Sequence, residues 1–349
     1  MKIAQVAPLA EAVPPLYYGG TERIVAYLCD ELVALGHDVT LFASGDSRTR
    51  ARLEPVCDGA LRLDPTIRDF LAPHMCMVEQ VARRADDFDI LHMHIDYLGF
   101  SAMTRVDVPF ITTLHGRLDL SELQPIYRLF GDVPVVSISD SQREPLPQAH
   151  FIATVHHGLP ERLLKPGRGE GGYLAFLGRI SPEKAPDAAI RIAAEAGMKL
   201  KIAAKVDKAD EEYFHAHIEK LLDQPHVEYL GEIGEKDKSE FLGQAAGLLF
   251  PIAWREPFGL VLIEAMACGT PVIAYGLGSV PEVIDDGLTG FIVSNESEAA
   301  VASRRALELD RTKIRRSFER RFTARRMAED YLGIYRGLIA RQRPLQQAV

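Results

Sequence analysis

Short apolar runs alternate along this chain with longer stretches whose apolar residues return every three or four positions. The runs Ile3–Ala7, Val39–Ala43, Ile90–Met93, Phe110–Leu114 and Val135–Ile138 predict five strands in the first half. They are close to continuously apolar, the pattern of strands covered on both faces. Between the first two, Ile24, Val25, Leu28, Leu32 and Leu35 share one helical face and Gly36 follows as a stop, so a helix is expected over Thr21–Leu35. The alternation restarts later with strand patterns at Tyr173–Leu177, Leu200–Ala204, Val227–Leu230, Gly247–Pro251, Pro271–Ala274 and Gly290–Val293. Helical patterns there cover Ala185–Ala196 and Gly259–Cys268. Strands that alternate with helices build parallel sheets with helices on both sides.

The segment 158–172 separates the two series and is rich in Gly, Pro and charge, with little to bury. It is expected to be an interdomain linker. The fold class that follows is α/β, with two doubly wound Rossmann-like domains facing each other across a cleft. The first domain would span 1–157, the second 173–317, and a C-terminal helix 318–349. Ligands in such domains bind beyond the carboxyl ends of the strands.

Composition changes this picture little. An apolar share of 47% and a charged share of 26% fit ordinary globular domains, and a chain of 349 residues suits two of them. The net charge of −9 makes nucleic acid an unexpected partner. The charge is uneven, however: Val301–Val349 carries 13 Lys/Arg against 5 Asp/Glu. That basic segment is either a solvated helix face or a peripheral contact for an anionic membrane or acidic acceptor. Cys29, Cys57, Cys76 and Cys268 form no CxxC pair, and no His/Cys cluster has zinc spacing, so buried thiols and no metal site are expected. No apolar run is long enough to span a membrane, and the N-terminus reads as a strand rather than a signal peptide. A cytoplasmic location is expected.

Several familiar chemistries are missing. The first strand is not followed by G-x-G-x-x-G, and the chain has no phosphate loop of the G-x-x-x-x-G-K-[ST] type and no G-x-S-x-G elbow. A dehydrogenase, a P-loop kinase and an α/β-hydrolase all lose ground.

Three loops carry candidate chemistry. The first is the stretch from Arg255 to Gly269, where Glu256 and Glu264 stand eight positions apart around a helix start. Pro257 favours that start and Gly269 a stop. A helix beginning near Phe258 would leave the amides of Phe258, Gly259 and Leu260 for an anion. Glu256 and Glu264 could accept hydrogen bonds from a sugar and a second polyol, or serve only as a capping acid and a salt-bridged helix residue. In the second loop, Arg179 and Lys184 follow a strand and precede a helix, so two cations could neutralise a diphosphate leaving group. They could equally be surface cations, one bridged to Glu183. The third loop joins the first strand to the first helix through Gly19, Gly20 and Thr21. It suits close approach of phosphate or sugar, or is an ordinary turn with a Thr cap. His94 and His115 close strands of the first half; His115, beside Gly116, is the better candidate for ligand contact. His156 and His157 receive no role.

Together these stretches resemble the retaining glycosyltransferases of family 4, which have the two-domain GT-B fold. The resemblance runs over nearly the whole chain. It is most specific in Glu256-Pro-Phe-Gly-Leu-Val-Leu-Ile-Glu264, which matches the family's Glu-x7-Glu signature, and in the following Ala265–Ala274. Gly178-Arg179 with Lys184 resembles its diphosphate-binding pair, and Gly19-Gly20 its N-terminal glycine loop. The resemblance implies a retaining, metal-independent transfer of a hexose from a nucleotide-diphosphate sugar, with UDP-glucose as the leading donor and no cofactor. Arg179 and Lys184 would bind the diphosphate. Glu256 would hold sugar hydroxyls with the amides of Phe258 and Gly259, Leu260 would offer an amide to phosphate, and Glu264 would bind ribose. Gly20 and His115 would meet phosphate and sugar from the first domain, the acceptor side. The nucleobase would lie near Gly231-Glu232-Ile233. The C-terminal helix, with Tyr331 and Tyr335, would cross back to the first domain. Where many relatives have Asn-Gly before the linker, this chain has His157-Gly158.

The acceptor stays open among a glycan, a lipid and a small metabolite. Two rivals stay open as well: a nucleotide-sugar 2-epimerase of the same fold, for which no convincing proton-moving pair is found, and a non-catalytic nucleotide-sugar-binding protein.

Overall fold

The computed structural model describes residues 1–16 and 19–346, so Tyr17 and Tyr18 of the glycine loop lie outside the described residues. The chain divides into two compact units, one of residues 1–160 together with Ala324 onward, the other Glu161–Thr323.

The first unit is built on a seven-stranded sheet. Its strands are β1 (Lys2–Val6), β2 (Asp38–Ser44), β3 (Arg52–Cys57), β4 (Ile90–Met93), β5 (Phe110–Thr113), β6 (Val135–Ser137) and β7 (Phe151–Thr154). They pair in the order β3-β2-β1-β4-β5-β6-β7, every pair parallel. The order reverses between β1 and β4, which is where such sheets open a crevice for ligand. The central strands are buried along their length, which explains their near-continuous apolar runs. The helix Gly20–Ala34 lays Ile24, Val25, Leu28 and Leu32 into the core at helical spacing. The two strands with no strong sequence signal, β3 and β7, are the edges. Their residues are half-exposed, and β3 carries Pro55, which an edge tolerates because no neighbour needs its missing amide.

The second unit repeats the plan with six strands: β8 (Tyr173–Arg179), β9 (Lys199–Lys205), β10 (Val227–Gly231), β11 (Gly247–Phe250), β12 (Val272–Tyr275) and β13 (Gly290–Val293). The order is β10-β9-β8-β11-β12-β13, again all parallel, with the switch between β8 and β11. The helix Pro186–Ala196 packs Ala189, Ile190, Ile192 and Ala193 against Leu174, Leu200 and Ile202 of the sheet.

Two expectations about the joints change. Of the expected linker 158–172, the part beyond Pro160 is laid onto the second unit. The amides of Gly167, Gly169 and Gly171 bond the carbonyls of Cys268, Gly243 and Gln244 at 2.9–3.0 Å. The Arg315 guanidinium also holds the carbonyls of Glu161 and Leu164. The expected helix over 318–349 is two helices, Arg311–Arg321 and Ala324–Gln346, and only the second belongs to the first unit. Phe318 and Phe322 are fully buried and Phe322 meets the ring of Phe258 edge-on, which anchors the chain to the second unit up to that point. From Ala324 the chain bonds back to Leu159 and buries Met327, Ala328, Tyr331, Leu332 and Tyr335.

Four arginines of the basic C-terminal segment, Arg311, Arg315, Arg321 and Arg326, are half-buried against the protein's own carbonyls, while others such as Arg316 and Arg320 are exposed. Arg311 donates to the carbonyls of Gly167, Ala245 and Gly243 and to the Thr270 hydroxyl. Arg321 holds the carbonyls of Glu282 and Val283 and the Asp285 carboxylate, and Arg326 those of His156 and His157. Exposed members such as Arg325 pair with an acid one turn on. Among the described residues, no helix is long and apolar enough to cross a membrane.

Candidate functional site

The loops singled out in the second unit all leave the carboxyl ends of strands at or beside the β8/β11 switch. β8 ends at Arg179, and the chain turns through Ser181, whose carbonyl accepts from Lys184 and Ala185 at 3.1 and 3.2 Å. Ala185 caps the next helix with φ 48°, a left-handed conformation that costs a non-glycine residue about 1–3 kcal/mol. Such strain is held by surrounding bonds. Here the Glu183 carbonyl accepts from the Ala253 amide at 2.9 Å, tying the turn to the loop after β11.

That second loop runs from Pro251 to Gly259. The Lys184 ammonium is bonded to the Glu256 carboxylate and lies 5.5 Å from the ring centres of both Phe250 and Trp254. Trp254 donates its indole N–H to the same Glu256 oxygen at 2.9 Å. A cation over two aromatic faces is attracted by both rings, so the ammonium is fixed rather than trailing in solvent. The helix begins at Leu260, two residues later than expected, with Gly259 as its cap at φ 77°. Phe258 is instead a core residue, and its carbonyl accepts from the buried Ser279 hydroxyl at 2.8 Å. The first bond of the new turn runs from the Leu262 amide to the Gly259 carbonyl, so the amides of Leu260 and Val261 stand at the helix mouth.

Glu264 lies in that helix, buried, and receives the Lys238 ammonium at 2.6 Å. Arg179 is surrounded by acids: Asp210 at 3.3 Å, Asp207 at 3.8 Å and Glu183 at 3.9 Å. Burial raises the Asp210 carboxyl, opposed by Arg179, while the Glu183 carboxyl is lowered chiefly by its own backbone amide. Gly231 ends β10, the outermost strand on that side, with φ 71°, and Ile233 follows in the loop, half-buried.

In the first unit, Gly19 caps the helix that starts at Gly20. His94 follows β4 and His115 follows β5, side by side at the carboxyl end of the sheet, with ring nitrogens 2.9 Å apart. His157 stacks on His115 at 5.3 Å between ring centres and an angle of 15°. Burial drives His115 down to about 3 and His92, His94 and His157 well below the usual range, so all four rings are neutral. Asp96 sits beside them at φ 50°, in touch with solvent, yet crowding by protein atoms raises its carboxyl to about 6.

The structure thus brings Lys184, Glu256 and the Leu260 helix mouth into one patch, with Glu264 farther into the same helix. Residues the sequence did not single out are Lys238, Asp207 and Asp210 beside Arg179, Asp96, and the brace Gly278-Ser279; Glu183 does lie beside Arg179, as one alternative had it, and His157, which had received no role, stacks on His115. Gly278 has φ 60°, and a Cβ there would come within 2.4 Å of the Glu256 amide and carbonyl. Only glycine lets the two loops pass this closely, and Ser279 then bonds the Glu256 carbonyl through its amide at 3.0 Å. A glycine seven residues past the Thr270-Pro271 strand entry was the one available sequence signal.

Comparison with known proteins gives this geometry a family. The model described as Glycosyltransferase Family 4 matches residues 18–180, and the one described as Glycosyl transferases group 1 matches residues 165–324. The D-inositol 3-phosphate glycosyltransferase of Mycolicibacterium smegmatis is 27% identical, covering 79% of this chain and 75% of that protein. The enzyme of the same name from Kribbella flavida is 26% identical over 79% of this chain and 78% of that one. Among solved structures, sucrose-phosphate synthase from Thermosynechococcus elongatus superposes with a TM-score of 0.78 at 19% identity, over 97% and 99% of the two chains. Anabaena HepE in complex with UDP and glucose does so with a TM-score of 0.74 at 18% identity, over 97% and 100%. Two parallel Rossmann-like units and two overlapping family matches lead to one conclusion: the chain is a glycosyltransferase with the GT-B fold, its first part matching the Glycosyltransferase Family 4 model and its second the Glycosyl transferases group 1 model.

Proposed function

We propose that this glycosyltransferase moves a hexose from a nucleotide-diphosphate sugar, with UDP-glucose as the leading donor, to an acceptor hydroxyl with retention at the anomeric carbon and without a metal ion. The observation that carries the proposal is the patch at the β8/β11 switch, where a fixed cation, Lys184, touches a carboxylate, Glu256, at the mouth of the Leu260 helix. A sugar diphosphate needs that combination: cation and amides for phosphate, carboxylate for hydroxyls.

In this reading the bond from sugar C1 to the diphosphate oxygen breaks, and charge grows on the leaving group. Lys184, Arg179 and the Leu260 amide stabilise it, an effect strongest where charge develops. The diphosphate takes Lys184 from Glu256, which frees the carboxylate for the sugar, aided by the Gly259 amide. Arg179 exchanges some of its three carboxylates for phosphate. Glu264, steadied by Lys238 on one oxygen, accepts from ribose with the other. The base lies near Gly231 and Ile233. In the first unit, the Gly20 loop and His115 meet phosphate and sugar. Solved Anabaena HepE, with UDP and glucose bound on the same fold, is consistent with a uridine donor. Relatives named for inositol 3-phosphate make a small phosphorylated polyol the first acceptor to try.

Transfer and donor hydrolysis with UDP-glucose test the reading. Replacing Arg179 and Lys184 together by Ala should lower kcat/KM by about 100-fold or more, the cost typical of losing charge stabilisation. Unchanged kcat/KM in the double variant, or an inverted anomer in the product by NMR, overturns it.

A further inference from the structure

Seven side chains of the first unit form one unbroken hydrogen-bonded line, and six of them have no role in the proposed chemistry. The Tyr331 hydroxyl meets Thr113 Oγ1 at 2.9 Å, and Thr113 meets His92 Nε2 at 2.7 Å. His92 Nδ1 meets the Tyr335 hydroxyl at 2.7 Å, and that hydroxyl accepts from Gln5 Nε2 at 3.1 Å. Gln5 Oε1 faces His94 Nε2 at 2.7 Å, and His94 Nδ1 faces His115 Nε2 at 2.9 Å. All but His115 are fully buried. Beyond them, His115 Nδ1 is buried with no protein partner.

Such a line has a direction. A neutral imidazole donates from one nitrogen and accepts at the other, so each ring passes the direction on. The Gln5 carboxamide is where the direction is decided. Its N–H points to Tyr335 and its carbonyl to His94, so His94 must carry its proton on Nε2 and keep a lone pair on Nδ1. That lone pair accepts the Nε2 proton of His115. The His115 Nδ1 is then a bare acceptor. Turning the carboxamide over would reverse every bond and leave an N–H at the same place.

We infer that Gln5, whose carboxamide N–H meets the Tyr335 hydroxyl of the C-terminal helix, is a positioning residue that sets the tautomer of His115 through His94. The inference rests on the proposed role of His115 at the sugar and sharpens it. A neutral ring with a bare Nδ1 accepts a hydrogen bond from a hydroxyl; it has no N–H there to donate to phosphate, which only accepts. The C-terminal helix thereby acts on ligand contact through hydrogen bonds rather than by packing alone.

The test uses the full chain with 15N-labelled histidine, reading ring tautomers by long-range 1H–15N correlation at pH 7.5 without ligand. His94 and His115 should both carry their proton on Nε2. His115 found with its proton on Nδ1 overturns the inference. Gln5→Glu keeps an acceptor for His94 and should preserve both tautomers and keep UDP-glucose hydrolysis within about threefold. Gln5→Leu removes the acceptor and should mix the tautomers and lower kcat/KM about tenfold, the loss of one neutral hydrogen bond. If that variant fails to fold, Tyr335→Phe frees the carboxamide to turn and should mix them too. Pure Nε2 tautomers in Gln5→Leu or Tyr335→Phe overturn the inference whatever the kinetics. His115→Ala separates the two ideas: unchanged hydrolysis there removes the sugar role, while the tautomers still report on Gln5.

Discussion

Gly278→Ala is the perturbation that ties loop geometry to donor chemistry most tightly. Two costs add at this position. With φ at 60°, an Ala occupies the left-handed region at about 1–2 kcal/mol. Its Cβ also falls 2.4 Å from the Glu256 amide nitrogen and carbonyl oxygen, against an ordinary contact of 3.4 Å or more, so the Glu256 peptide must retreat by about 1 Å. Overpacking of this kind costs about 1–3 kcal/mol, for a total of about 2–5 kcal/mol. Gly287→Ala is the control, since its φ is 74° but nothing lies within 4 Å of the added Cβ. It should show only the left-handed cost. The assay is urea unfolding of both variants alongside kcat/KM for UDP-glucose. A shift of about 1 Å at a sugar-binding carboxylate is worth about 100-fold in rate, so Gly278→Ala should lose activity while folded and Gly287→Ala should stay near wild type. Equal stability and equal activity in the two variants would refute the brace.

Two further outcomes follow from buried charge. Arg311→Met removes four hydrogen bonds and leaves three carbonyls without their guanidinium, which should destabilise the second unit by about 3 kcal/mol or more in urea unfolding; a change below about 1 kcal/mol contradicts its structural role. The rings of His92, His94, His115 and His157 should stay neutral in an NMR titration from pH 8 to pH 5, because burial depresses all four. The unfolded chain takes up protons there as pH falls through about 6.5, so each ring's stabilising share is full above that value and drains by up to about 1.4 kcal/mol per pH unit toward its folded pKa, about 3 for His115. Asp96, raised by the protein atoms crowded around it, and Glu22, raised by burial, act in the opposite sense, so ring titration is the cleaner readout than an unfolding midpoint.

The sheets were legible where strands are covered on both faces. Most of the strands picked out in the two units announce themselves as apolar runs, because a parallel strand such as β4 or β11 has no polar side to display, whereas the edge strand β10 shows itself by the alternation of Val227, Glu228, Tyr229 and Leu230. The edges β3 and β7 were silent because their residues are only partly buried and their sequences carry neither a continuous apolar run nor a clean alternation. Glu256, Glu264, Arg179 and Lys184 were legible as residues because helix starts and strand ends concentrate ligand chemistry. Their partners were not. Lys238 reaches Glu264 from a different helix 26 positions away, and Asp207 and Asp210 reach Arg179 from the loop after β9. No local pattern encodes such meetings. The same holds for Arg311, Arg315 and Arg321, which read as surface charge until the carbonyls they cap are seen.

Calorimetric titration of UDP-glucose into the wild-type protein and into Lys184→Ala/Glu264→Ala tests the donor site most directly. The account predicts saturable binding by the wild type and at least about 100-fold weaker binding by the double variant, as expected when a charge-assisted phosphate contact and a ribose contact are both lost. Equal affinity in the two proteins would contradict it.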